Sequence, residues 1–359
     1  MQLTRQKKPD TVVGLDIEAG SIAATEVRTN GSTEVTASAI GPLGPGAFHE
    51  GEVLDPDVLA DGLKSLFSKH KLSKHVRLGV GNQRVVVRVM RLPALEDPRE
   101  MEAAVRFQAQ EQIPMPLDQA VLEHQVVGGV AAEEGSAPQV DVVVVAARRD
   151  MISSFLGPLR RAGLEPVGVD LSAFGMIRAL AGSGGAFVAE GEQEQPSPAV
   201  LYCNVGDVTN LAVARGRACL FTRVSHAGME PIAARLVSAR GLSPEQAAQW
   251  IDHVGLEIAV EEIEGDPETV SETRRSLEEG VSALVDELRL SLDYYGAQEG
   301  AIPVEGIVLC GPGSALTGIG DRMDGLGLPV SVARPGALAA LDDAAAARLT
   351  LPFGLALED

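Results

Sequence analysis

The stretch GLDIEAGSIAATEV, from Gly14, reads as a buried strand that ends in one carboxylate, Asp16, turns through Glu18, Ala19 and Gly20, and resumes as a strand at Ser21. A glycine turn between two strands lets backbone approach an anion closely and point N–H groups at it, where a Cβ would obstruct. A phosphate is the anion that suits such a turn, and Glu18 is the residue that argues against it. Far downstream the plan recurs in AVLYCNVGDVTNLAVARGRACLFTRVSH: a strand to Val205, a turn at Gly206 and Asp207, a strand from Thr209, a hairpin at Arg215 and Gly216, and a third strand to about Ser225. A third candidate, GIVLCGPGSALTGI, reads as a buried strand, a glycine turn and a helix from about Ala315.

The elements that must position these turns fall into two similar halves. In the first, Asn30-Gly31 between alternating runs signals a hairpin, so the order is strand, tight loop, strand, hairpin, strand. A helix follows in DPDVLADGLKSLFSKHK, with Asp55 as N-cap, Pro56 at the first helical position and an apolar face of Val58, Leu59, Leu63, Leu66 and Phe67. Strands and helices from HVRLGVGNQRVVVRVMRLP to RDMISSFLGPLRRAGL have room for a small sheet of their own and read as an inserted subdomain over 84–168. The chain then divides into a disordered start at 1–10, the first lobe at 11–83 and 169–182, and a solvated connector at 183–198. A second lobe follows at 199–340, and a segment at 341–359 packs back on the first. In the second lobe Ser243 and Gln246 form a capping box, and a long helix runs from about Asp266 to Ala297. On that helix Val281, Leu284, Val285, Leu288 and Leu292 mark the core face, leaving Asp286, Arg289 and Asp293 on an adjacent stripe. The fold class is α/β, and the first turns of the two halves point at a common cleft.

Composition sets outer limits. A chain of 359 residues exceeds one ordinary core, and 45% hydrophobic with only 3% aromatic residues implies an interior of Val, Leu, Ile and Ala. A formal charge of -20 repels phosphate backbones and anionic lipid, so nucleic acid is excluded as a partner. No stretch approaches the ~18 to 20 apolar residues of a membrane span, and no apolar run follows the basic start MQLTRQKK, so a cytoplasmic location is expected. Cys203, Cys219 and Cys310 are widely spaced in apolar runs and read as small buried hydrophobes. The six histidines show no metal-ligand spacing.

The paired meanders resemble the actin-like ATPase (RNase H-like) fold, in which DxG turns of the two halves grip the β- and γ-phosphates and a third glycine turn lies against adenosine. The inserted segment RLPALEDPREMEAAVRFQAQEQIPMPLDQAVLEHQVVG, the stretch LRLSLDYYGAQEGAIPVEGIVLCG and the closing LTLPFGLAL are similar to the PilM family, the cytoplasmic actin-like component of type IV pilus assembly. That resemblance implies two related lobes with a small α+β (SHS2-like) insertion. It implies ATP or ADP with Mg2+ at Asp16, Glu18, Gly20, Ser21, Asn204, Gly206, Asp207, Thr209, Asn210, Gly311, Gly313 and Ser314, with Asp16 holding the metal through water and Asp286 and Arg289 near adenosine. It also implies a partner: the N-terminal cytoplasmic peptide of a PilN-like bitopic membrane protein, in the cleft between the first half and the insertion, with Gln112, Ile113 and Pro114 as candidate groove residues or a structural elbow. Motor ATPases would be neighbours, self-association is left open, and the location becomes the inner face of the membrane through protein partners.

The sequence departs from the family pattern where the chemistry would be. Glu18 replaces a turn glycine, Ala23 stands where a Lys is usual, Asn204 replaces an Asp, and Pro312 separates Gly311 from Gly313. A carboxylate about 5 Å from a triphosphate costs on the order of 3 kcal/mol at an effective dielectric of ~20, about two decades of affinity. Nucleotide binding is therefore expected to be weak or lost, and no general base accompanies the turns, so a scaffold is favoured over an enzyme. Two alternatives stay open. One is a sugar or acetate kinase of the same fold, and the other is an FtsA-like filament protein, which would need a basic amphipathic tether that the acidic ending LPFGLALED does not supply.

Overall fold

The computed structural model describes residues 9–29, 33–130, 138–181, 198–298 and 300–357. The Asn30-Gly31 hairpin tip, most of the 1–10 start and nearly all of the 183–198 connector lie outside the described residues. In the first lobe β1 (Thr11–Ile17), β2 (Ser21–Thr29) and β3 (Thr33–Pro42) form an antiparallel meander. A two-residue pair, β4 (Phe48–His49) and β5 (Glu52–Val53), precedes helix α1 (Pro56–His70). Asp55 starts α1 by accepting from the N–H groups of Asp57 and Val58, and Lys71, left-handed at φ 54°, ends it. Strand β6 (His75–Val80) then lies parallel to β1.

The insertion holds β7 (Val85–Pro93), α2 (Pro98–Gln112), β8 (Ala120–Val130) and β9 (Gln139–Arg148), with antiparallel sheet order β7-β9-β8. Met101, Val105 and Ala109 of α2 cover one face of this sheet, against Met90, Leu92, Val142 and Val144. The insertion is shorter than the expected 84–168. Helix α3 (Arg149–Arg161) places Met151, Phe155 and Leu159 in the first lobe's core beside Leu59 and Leu63. Strand β10 (Glu165–Leu171) completes the lobe's sheet, parallel to β6. The reason is apolar area: the first sheet needs a second covering helix, whereas the small sheet already has α2 on one face.

Helix α4 (Ser172–Leu180) leads towards the second lobe, where β11 (Ala199–Val205), β12 (Thr209–Arg215) and β13 (Ala218–Ser225) repeat the meander. Helices α5 (Met229–Arg240), α6 (Pro244–Val254) and α7 (Pro267–Gly296) follow, and α6 starts with the Ser243–Gln246 capping box. Strand β14 (Val304–Cys310) lies parallel to β11, and β15 (Val330–Val332) parallel to β14. The two five-stranded sheets, β10-β6-β1-β2-β3 and β13-β12-β11-β14-β15, therefore repeat one topology, with each meander followed by two parallel strands. The helix expected from about Ala315 does not form. Short 3-10 turns at Pro312–Ala315 and Asp321–Leu326 take its place, because Gly318 and Gly327 adopt positive φ and Gly320 and Gly325 add further flexibility.

The last helix, α8 (Asp343–Ala356), is buried from Ala346 through Ala356. Together with α4 it lies between the two sheets: Ala23 and Val27 of β2, Met176 and Leu180 of α4, Tyr202 of β11, Ala212 of β12 and Leu349 and Leu355 of α8 share one apolar cluster. This shared core fixes the separation of the lobes and carries one charged residue, Arg348, into the space behind the first turn. The three cysteines are buried and free.

Candidate functional site

The first turn is a closed hairpin: the Glu18 N–H donates to the Ser21 carbonyl at 2.9 Å, and the Ser21 N–H to the Glu18 carbonyl at 3.3 Å. Within the turn, the Ala19 N–H donates to Asp207 Oδ2 at 2.6 Å, across from the second turn. In return the Asp207 N–H donates to Glu18 Oε1 at 3.3 Å. Each turn thus holds a carboxylate of the other. Gly206 is required by this exchange, since a Cβ there would lie 2.3 Å from Glu18 Oε1.

Behind the turns, Arg348 is 7% exposed and its guanidinium reaches Asp16 Oδ2 at 2.5 Å and Glu18 Oε2 at 3.1 Å. It also donates to Ser21 Oγ at 3.2 Å and to the Ser21 carbonyl at 3.4 Å. Three carboxylates, buried Asp16 and half-buried Glu18 and Asp207, therefore face one guanidinium. Burial pushes the Glu18 carboxyl up to about 8 despite Arg348, with Asp207 and Asp16 adding repulsion. Burial likewise raises Asp207, to about 6, against the Ala19 N–H bond that favours its charged form. At neutral pH the raised Glu18 carboxyl keeps its proton, which relieves part of the repulsion among the carboxylates.

The remaining space is small. A cavity of about 30 Å3, lined by Asp16, Glu18, Asn204, Asp207, Asn210 and Glu230 among others, has room for one or two waters. A strap from the first lobe covers it. His49 Nδ1 and Glu230 Oε1 are 2.5 Å apart, the Glu50 N–H donates to Glu230 Oε2 at 3.2 Å, and His226 pairs with Glu50 at 3.3 Å. The Glu230 carboxylate holds the proton on His49 and raises its pKa.

Of the residues expected to bind a cofactor, Asp16, Glu18, Ser21, Gly206 and Asp207 converge, but on one another and on Arg348. Asn204 and Asn210 are buried beside them, and Thr209 Oγ1 donates to the Ala227 carbonyl at 2.5 Å. Gly20 is in the tip of the first turn. The Asp16 carboxylate, expected to hold a metal through water, pairs with Arg348, and among the described residues no group of three or more His, Cys, Asp or Glu side chains could hold a metal ion. The third turn does not open towards a ligand: Gly311, at φ 82°, lies under Asn204 Oδ1, Gly313 is packed on Val205 and Met229, and Ser314 Oγ donates to the Gly311 carbonyl at 2.6 Å. Asp286 and Arg289 form an exposed ion pair at 3.0 Å but line two different cavities, neither of them at the turns. Mg2+ with a triphosphate does not fit these residues, since Arg348 takes the cation's place and Asp207 the anion's.

A second cleft is open. A cavity of about 930 Å3 lies between Val85–Arg88 of β7 on the insertion and Thr222–Ser225 of β13, with Asn210, Asp286 and Glu287 also on its wall. Both β7 and β13 are edge strands of their sheets. Another cavity, of about 250 Å3, touches the opposite end of β13 at Arg217–Cys219 and β8 at Gln125–Val127. The suggested groove residues lie elsewhere: Ile113 is buried in the insertion's own core as the residue that ends α2, and Gln112 and Pro114 beside it are exposed and line neither cavity. The residue that sequence reasoning missed at the turns, Arg348, lacked a local signal; the one available was a lone Arg inside the apolar run AAAARLTLPFGLA.

A family model described as type IV pilus assembly protein PilM matches residues 14–351. The chain belongs to the PilM family. A solved structure titled as the PilM-PilN type IV pilus biogenesis complex is similar over 98% of both chains, at 25% identity and a TM-score of 0.78. Ethanolamine utilization protein EutJ from Carboxydothermus hydrogenoformans matches 98% of this chain and 91% of its own at 14% identity and TM-score 0.53. MreB5 of Spiroplasma citri, in a structure bound to ADP, matches 96% and 95% at 13% identity and TM-score 0.50. These neighbours share the actin-like ATPase fold, so the two meanders are the paired lobes of that fold. The PilM family member described here has, among its described residues, no helix long and apolar enough to cross a membrane.

Proposed function

We propose that this PilM-family chain is a non-catalytic scaffold of type IV pilus assembly that receives the N-terminal cytoplasmic tail of a PilN-like membrane protein in the cleft beside its inserted subdomain. The observation that carries the reading is the open groove of about 930 Å3 between two edge strands, β7 and β13. An extended peptide can pair its main chain with such an edge and place alternate side chains in apolar pockets. Val85, Val86 and Val87 supply apolar wall, and Asp286 and Glu287 supply acidic rim. A scaffold of this kind works at the inner face of the membrane through its partner, with pilus motor ATPases as neighbours.

Nucleotide is weakly bound or absent in this reading, and no turnover is expected, because the two phosphate-type turns bond to each other. The test is a fluorescence-anisotropy titration of the full chain with the N-terminal cytoplasmic tail of a PilN-like protein. Saturable binding that a scrambled peptide does not reproduce is the expected result. Equal binding of both peptides would remove the assignment.

A further inference from the structure

We propose that this chain has exchanged the nucleotide of its fold for an internal latch, with Arg348 standing in for the cation and the Glu18 and Asp207 carboxylates standing in for phosphate oxygens on each other's turns. Four observations support it independently of the partner reading. The amides of Glu18, Ala19 and Ser21 are all bonded within the protein, so the first turn has few donors left for an anion. The guanidinium of Arg348 bridges Asp16, Glu18 and Ser21, so the Asp16 carboxylate already has a cationic partner from the chain itself. Gly206 leaves room for the Glu18 carboxylate rather than for a ligand. The volume that remains, about 30 Å3, is far below that of a triphosphate.

Because Arg348 arrives on α8, whose apolar face is packed between both sheets, the latch ties the shared core to both turns. The lobes are then held in the closed arrangement by the chain alone. Asn210 walls both the latched cleft and the large groove, so closing the one sets a wall of the other. Binding of a partner would need no nucleotide to shape its site.

Hydrogen exchange on the full chain, read at residues 16–21 and 204–209 with and without MgATP, tests the latch directly. Both turns are expected to be protected without nucleotide and to show the same exchange when it is added. Protection that appears only with MgATP would overturn the proposal, as would saturable binding of a fluorescent ATP analogue, displaced by ATP, below about 1 mM. Arg348→Met is expected to speed exchange at both turns by about tenfold or more while α2 is unchanged. Unchanged exchange in that variant would count against the latch; Arg348→Lys, which keeps the charge and loses the fork, provides the same comparison if the Met variant does not fold.

Discussion

The cleft between the turns and the groove beside the insertion share Asn210 as a wall, yet one encloses about 30 Å3 and the other about 930 Å3. The narrow one is lined by charge that the protein satisfies itself, with Arg348 on Asp16 and Glu18 and each turn on the other's carboxylate. The wide one is bordered by strand edges, whose unpaired main-chain groups are a template for another chain. A site inherited by fold can thus become part of the interior, while a surface with no catalytic groups remains free to recognise. The sharpest way to break this contrast is Arg348→Met. Removing one partner of a buried ion pair leaves its carboxylates uncompensated, at a cost of about 3 to 5 kcal/mol. Urea unfolding should register that loss, with Arg348→Lys between the variant and the native chain, and a loss below about 1 kcal/mol would mean the narrow cleft is not held by Arg348.

The groove should answer to a different class of substitution. Ala283, exposed on α7 and on the groove wall, can be replaced by Arg with stability changed by no more than about 0.5 kcal/mol. Its side chain would fill space needed by an extended peptide, and affinity for the PilN tail should drop at least about tenfold, or about 1.4 kcal/mol. If peptide affinity falls instead with Arg348→Met alone and not with Ala283→Arg, the two clefts are one functional unit.

Protonation separates the clefts further. Glu18 faces Arg348, Asp16 and Asp207, with Glu50 and Glu230 also on the cavity wall, and its pKa rises from an ordinary 4.5 to about 8. The folded chain therefore binds this proton more tightly than the unfolded chain, so the stabilisation is complete below about 4.5 and is lost as pH rises through about 8. Asp207 adds the same trend from 3.8 to about 6. Urea midpoints should decline from pH 5 to 8.5, and Glu18→Gln should flatten the upper part of that decline, leaving the portion below about pH 6 to 7. A native-like slope in Glu18→Gln would place the titrating group elsewhere, and peptide affinity at Ala283 should be indifferent to the substitution.

Much of the scaffold was legible because its signals are local. Alternating strands around glycine turns gave both meanders, Asp55 with Pro56 opened α1, Ser243 with Gln246 opened α6, and the period of Val281, Leu284 and Leu288 marked the inner face of α7. What escaped depends on distant pairing. Arg348 and Asp16 are separated by 332 positions, and nothing near Arg348 announces a carboxylate partner. The allegiance of α3 and β10 to the first lobe likewise follows from Phe155 and Leu159 meeting α1, not from the helix pattern itself. Glu18 stood out as a misfit in a phosphate turn, but the sequence could show only the repulsion it would cause, and not that Gly206 and the Asp207 N–H lie ready to receive it.

The smallest expected effect concerns the strap over the narrow cleft. His49 and Glu230 meet across the lobes at 2.5 Å, but the imidazole is 53% exposed, so water and salt discount the pair to about 0.5 to 1 kcal/mol. The bond to Glu230 raises the His49 pKa, so its contribution is full below the ordinary value of 6.5 and fades as pH rises past the raised one. His49→Ala should then lower the urea midpoint slightly at pH 6 and by less at pH 8.5, without opening the turns to exchange. Faster exchange at Ala19 or Asp207 in that variant would show that the strap, rather than Arg348, closes the cleft, because Glu50 and Glu230 would then be what keeps water from the exchanged carboxylates.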